Sequence, residues 1–197
     1  QIIMSSENIA DRFALLISRV FHPFIISVPA GILLLYLAEI SFLESLKWIV
    51  LSAGMTILPT ALFMRYHPEY HLRDINSREN RNLLYAIGLT ELSVLAALLW
   101  FLEAPDLISL FSYSAILLTF IGSIVNHFTK ISLHVGALSA FSTALSFLSP
   151  IIGVVGFTVT LSVAWSRLKL GRHTPRQVAL GLAIPVICIA VVFQTLI

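Results

Sequence analysis

A chain of 197 residues that is 58% hydrophobic and only 11% charged lies well outside the soluble-domain average of about half apolar and a quarter charged. The apolar excess fits several membrane spans and excludes an ordinary water-soluble globular fold. The net charge of +2 says little by itself, no nucleic-acid partner is expected, and the single cysteine, Cys188, can form neither an internal disulfide nor a thiolate cage.

Residues 1–20 alternate polar and apolar and carry acids, unlike a secretory leader. Within them "IADRFALLISRV", residues 9–20, has the pattern of an interfacial lead-in helix. Seven apolar segments follow, at about 21–43, 46–66, 82–102, 106–128, 131–149, 151–165 and 176–196. A span needs about 20 residues, and the sixth segment is short. The expectation is therefore an all-α membrane protein: a multi-pass bundle of six to seven transmembrane helices forming a single domain over 1–197, integral to the cell membrane. Pro23, Pro29, Pro59 and Pro185 fall within these segments, where each removes a backbone donor and favours a kink. Small residues in "GALSAFSTA", 136–144, predict close helix packing.

Three connections are polar: "YHPEYHLRDINSRENRN" (66–82), "NHFTKISLH" (126–134) and "SRLKLGRHTPR" (166–176). If all seven segments span, two helices separate each neighbouring pair, so all three emerge on one face. That face or its edge then holds every Lys and Arg except Lys47. A basic excess ordinarily marks the cytoplasmic side, but cations kept for chemistry bias the count, and the side stays open.

In the third connection, Thr174, Pro175 and Gln177 have the signature of a capping box with proline as first helical residue. His173 is then presented just ahead of a helix N-terminus, a place suited to an anion. Arg167 and Arg172 add permanent charge in a shape that matches phosphate oxygens. The second connection supplies Lys130, Ser132 and His134, with Lys130 and His134 four apart. The first supplies Arg78 and Arg81, three apart. Carboxylates are fewer there (Glu69, Asp74, Glu79), a balance that favours an anion over a metal.

"SRLKLGRHTPRQV" resembles the third signature of the type 2 phosphatidic acid phosphatase family, SRxxxxxHxxxD, through Ser166, Arg167 and His173. "ISLH" is similar to the second, PSGH, keeping Ser132 and His134. "DINSRENRN" is similar to a worn first signature, KxxxxxxRP, with Arg81 in place, Asp74 where the lysine belongs and Asn82 for the proline. The likeness covers residues 73–181. It implies a metal-independent phosphoric monoester hydrolase, able in principle to cleave an acid anhydride, with no cofactor. His173 would form a phosphohistidine, His134 would protonate the leaving oxygen, and Arg167 and Arg81 would hold the phosphoryl oxygens. Arg78, Lys130, Ser132 and Ser166 complete the candidate phosphate-binding set. The implied partner is a lipid phosphate within the bilayer: a phosphatidate, a phosphatidylglycerol phosphate, a polyprenyl phosphate or lipid A. Gln177 stands in place of the signature's aspartate and brings no charge. Asp74 is the candidate to supply the acid, and Lys130 or Arg73 the missing lysine. The alternatives are a lipid phosphotransferase and a catalytically inactive lipid-phosphate binder.

Other features have simpler readings. Lys169, Arg172 and Arg176 suit contact with headgroups. "HPEYH", 67–71, is not a zinc-protease helix, because Pro68 interrupts it. His22 and His127, at span edges, are read as structural, and Cys188 as core filler. Glu91, mid-span, is read as a protonated carboxyl hydrogen-bonded between helices.

Overall fold

In the computed structural model, residues 8–67 and 78–196 are described, apart from the side chains of Phe24, residues 78–80 and residue 196. They form eight α-helices and no strand: α1 (Ile9–Val20), α2 (Pro23–Leu37), α3 (Phe42–Tyr66), α4 (Arg78–Phe101), α5 (Asp106–Asn126), α6 (Leu133–Leu148), α7 (Pro150–Lys169) and α8 (Pro175–Leu196). The candidates Glu69, His71, Arg73 and Asp74 lie outside the described residues.

The helix boundaries follow from local chemistry. Asn8 caps α1 by accepting from the Ala10 N–H at 3.5 Å, and Ser41 caps α3 by accepting from the Glu44 N–H at 3.3 Å. Pro23 and Pro150 stand at the first positions of α2 and α7, where a missing N–H costs nothing. At the C-terminus of α7 the Gly171 N–H donates to Leu168 O at 3.0 Å and the Arg172 N–H to Arg167 O at 3.1 Å. This is a Schellman closure, and it requires the left-handed φ of 63° that Gly171 adopts without penalty.

Among the described residues, five helical stretches are long and apolar enough to cross a membrane: α3, residues Arg81–Phe101 of α4, α5, α7, and Pro175–Thr195 of α8. The consecutive helices α1 and α2 meet at a 54° bend and pass the same test only as a pair. The expected lengths of two neighbours are reversed. The sixth apolar segment runs on through Ser166–Lys169 to make the 20-residue α7, whereas the fifth makes the short, 16-residue α6. Ser149, extended at φ −151°, separates them. Large apolar side chains face outward along the bundle, Ile151 at 79% and Leu43 at 77% exposure among them. Trp100 and Phe101 at one end, and Tyr66 and Phe128 at the other, are also exposed. Lipid accepts such a surface, with aromatics at its two boundaries.

Helix α6 is the hub, packed against α2, α7 and α8. Its small residues allow the approach. A Cβ on Gly153 of α7 would collide with Ser146, and one on Gly156 would come within 2.7 Å of Ser142 Oγ. Ser139 Oγ donates to Leu182 O on α8 at 2.8 Å, and Ser142 Oγ meets Thr160 Oγ1 on α7 at 3.0 Å. Val135, Leu138, Val163, Ala164 and Val178 close a buried cluster, with Ile17 and Phe21 of the N-terminal region packed on it. This cluster is the floor of the region described next.

Candidate functional site: an imidazole and guanidinium cluster

The start of α8 contains both halves of the capping box. Thr174 Oγ1 accepts from the Gln177 N–H at 3.4 Å, and Gln177 Oε1 accepts from the Thr174 N–H at 3.3 Å. The second bond identifies the amide oxygen, because a backbone N–H can only donate. The same Oε1 lies 3.0 Å from His173 Nδ1. Nδ1 must then carry the proton, which leaves Nε2 with its lone pair. Gln177 thus fixes the tautomer without contributing charge.

His173 is half-buried in the turn between α7 and α8. Burial pushes its imidazole below the ordinary value; Arg167 and Lys130 push the same way, and the hydrogen bond with Gln177 pulls back. These surroundings therefore favour the neutral ring. His134, in the first turn of α6, has Arg167, His22 and His173 as its electrostatic neighbours. Side chains from the second and third connections thus converge with a residue from the start of α2.

Ser132 joins the two connections through its backbone, its N–H donating to Gln177 O at 3.3 Å. Gly181 makes this possible, since a Cβ there would stand 2.9 Å from Ser132 O. Ser132 is fully buried at the N-cap position of α6, yet its hydroxyl makes no cap bond. Among the described residues, Ser132 Oγ and Arg167 Nε are buried with no hydrogen-bond partner. Orphaned buried donors are costly.

The remaining expected residues fall in different places. Arg167 is held rather than mobile: its Nη1 donates to Ser18 Oγ of α1 at 2.9 Å. Ser166 is not a phosphate donor in this arrangement. It is fully buried, and its hydroxyl donates to Ala14 O of α1 at 2.7 Å, so its part is to dock α1 on α7. Lys169 pairs with Asp11 of α1 at 3.5 Å instead of facing only headgroups. Arg81, at the start of α4, lies beside Tyr85 on the adjoining α4–α5 pair, where Asn126 Nδ2 donates to Asn82 Oδ1 at 3.0 Å. The Arg78 side chain lies outside the described residues. Glu91 accepts from Thr60 of α3, 2.9 Å from each carboxylate oxygen, as the interhelical hydrogen bond expected of it.

Two participants carry no motif that marks them. Ser18 lies in the lead-in helix with no local signature. His22 reads as structural from sequence, but its ring meets that of His134 at 4.7 Å between centroids and 85° between planes. The one available signal is its place: an imidazole ahead of Pro23, at the membrane edge that also carries the three polar connections. Compared with known proteins, the chain matches no family model, no curated protein and no solved structure.

Proposed function

We propose that this chain is an integral membrane phosphatase that hydrolyses a phosphate monoester or pyrophosphate of a lipid through a phosphohistidine. The observation that carries the reading is the Gln177 oxygen shared between the Thr174 N–H and His173 Nδ1, which leaves Nε2 as a nucleophile beside Arg167 and His134.

In this reading Nε2 of His173 attacks phosphorus. A P–N bond forms as the bond to the lipid oxygen breaks, and His134 gives that oxygen its proton. Water then attacks the phosphohistidine. The P–N bond breaks, the water's proton passes to His134, and phosphate leaves. Phosphoryl transfer needs mainly alignment and cationic stabilisation of the equatorial oxygens. Arg167, immobilised by Ser18, would supply this, with Lys130 and Arg81 contributing charge. The orphaned Arg167 Nε and Ser132 Oγ fit the role of oxygen-binding donors. An apolar cavity of about 250 Å³ between α2, α3 and α5 begins at Ser27, five residues along α2 from His22, and continues past Val28, Gly31 and Leu35. Such a space suits a hydrocarbon tail, whose binding would help align the phosphate.

The test is phosphate release from a panel of lipid phosphates by detergent-purified protein with chelator present, comparing the wild type with His173→Ala. Release by the wild type and its loss in the variant are expected. Release that depends on a divalent metal would count against the histidine mechanism. One observation favours a second reading, an inactive lipid-phosphate binder: Gln177 offers the nucleophile no negative charge. Retained lipid with no turnover of any substrate would support it, and headgroup exchange without inorganic phosphate would indicate a transferase.

A further inference from the structure

We infer that His22 is a third imidazole of this site, coupled to His134 as a positioning residue and as a like-charged neighbour that resists a second proton. The inference rests on the phosphatase reading only for its catalytic consequence.

The two rings come from distant parts of the chain and meet edge to face, 4.7 Å between centroids. Local backbone chemistry fixes His22. Proline at position 23 drives the preceding residue out of helical conformation, and His22 adopts φ −66° and ψ 136° at the N-cap of α2. Its side chain makes no cap hydrogen bond, and its ring is turned toward α6. A flat ring standing perpendicular to His134 restricts rotation about the terminal side-chain torsion, which is otherwise broad. The acid's N–H is thereby aimed.

The second consequence is electrostatic. The groups acting on His134 from the surrounding elements are Arg167 on α7, His173 on the turn before α8, and His22 at the start of α2. All are cationic or can become so, and among the described residues none is a carboxylate. In such surroundings a proton on His22 opposes a proton on His134, and the pair favours one proton over two. Burial first, and then these neighbours, hold the free His134 imidazole down at about 4, so it can carry the acid's proton only when the charge of a bound phosphate offsets them. The proton that leaves for the lipid oxygen then comes from a pair that the hydrolytic water recharges.

The experiment is an NMR titration of histidine-labelled protein in detergent micelles, with the two rings assigned from the single variants His22→Phe and His134→Phe. Phenylalanine keeps a flat ring in place and removes the titrating group. In His22→Phe the midpoint of His134 should rise, because a charged neighbour that opposes its proton is gone. An unchanged His134 midpoint would overturn the coupling whether or not the protein is a phosphatase. If His22→Phe fails to fold, His22→Asn, which also removes the titrating ring, decides with His134 as reporter. Where the wild type releases phosphate, the alkaline limb of kcat should move up in His22→Phe by the same amount as the NMR shift. His22→Ala should lose at least tenfold more kcat than His22→Phe, because only alanine removes the wall. Equal losses would sink the positioning role. Absence of phosphate release in the wild type would sink the phosphatase reading, while the NMR midpoints would still decide the coupling.

Discussion

The two ends of the bundle handle charge in opposite ways. At the end where α3 begins, Glu44 accepts from Lys47 at 3.1 Å and from Trp48 Nε1 at 2.7 Å, and the Lys47 ammonium sits 4.3 Å from the centre of the Trp48 ring. All three residues lie within two turns of one helix, and the ion pair is solvent-facing, with side chains 57% and 43% exposed. At the other end, Lys130, Arg167, His134 and His173 come from separate elements and are half-buried, and among the described residues no carboxylate is among the groups acting on the two rings. Charge neutralised within a helix anchors that helix at an interface. Positive charge gathered across the fold, with no carboxylate acting on the rings, is costly unless an anion is to be bound.

Substitutions at the two ends should therefore differ by orders of magnitude. The largest effect is expected at Arg167: Arg167→Ala should lower kcat for phosphate release by about 10²–10³-fold, as removal of one preorganised donor does elsewhere. Arg167→Lys should recover little of it, since lysine cannot keep the fork between Ser18 and an oxyanion. Gln177→Leu comes next, with a loss of about 10²-fold expected from the freed tautomer, smaller than the roughly 10⁴-fold seen when a buried triad acid is replaced. Gln177→Asp should restore activity above the wild-type level if charge is what the site lacks. Third is the acid limb of the rate profile. In the proposed mechanism His173 reacts when neutral, and burial, Arg167 and Lys130 all disfavour its proton, so activity should persist below pH ~6.5, the ordinary histidine value. Activity should then fall as pH drops through the lowered value. In Lys130→Met that limb should move back up toward the ordinary value of about 6.5; a limb already above it in the wild type would contradict the electrostatics described. Smallest is Lys47→Met at the far end, where kcat should stay within about twofold, as surface ion pairs contribute little. A loss there as large as at Arg167 would erase the distinction between the ends.

What is legible in the sequence is what is local. Apolar runs, proline positions and the Thr174–Gln177 box depend on neighbours within a few residues, and the helices start and stop where those signals stand. The second and third connections do meet, through the Ser132 N–H and Gln177 O, as the sequence predicts only on the condition that both segments between them span. What is not legible depends on how α1 packs. Ser166 carries a motif position, yet its hydroxyl is committed to Ala14. Ser18 carries no motif, yet it holds the guanidinium. Sequence puts the short span in the wrong segment because the charge in "SRLK" looks like a helix end, whereas Asp11 and Ser18 give those cations partners that let α7 continue. His22 stays inconspicuous because a lone histidine at a span edge has no periodic signal. Its significance comes from His134, more than a hundred positions away.

The Arg167–Ser18 and Ser166–Ala14 hydrogen bonds close loops of 149 and 152 residues. They tie the first of the eight described helices to the seventh. During synthesis α1 must wait, without its partner, until α7 has been threaded into place. A nascent chain halted before that point has no anchored guanidinium, so the cluster comes together only once α7 has been made.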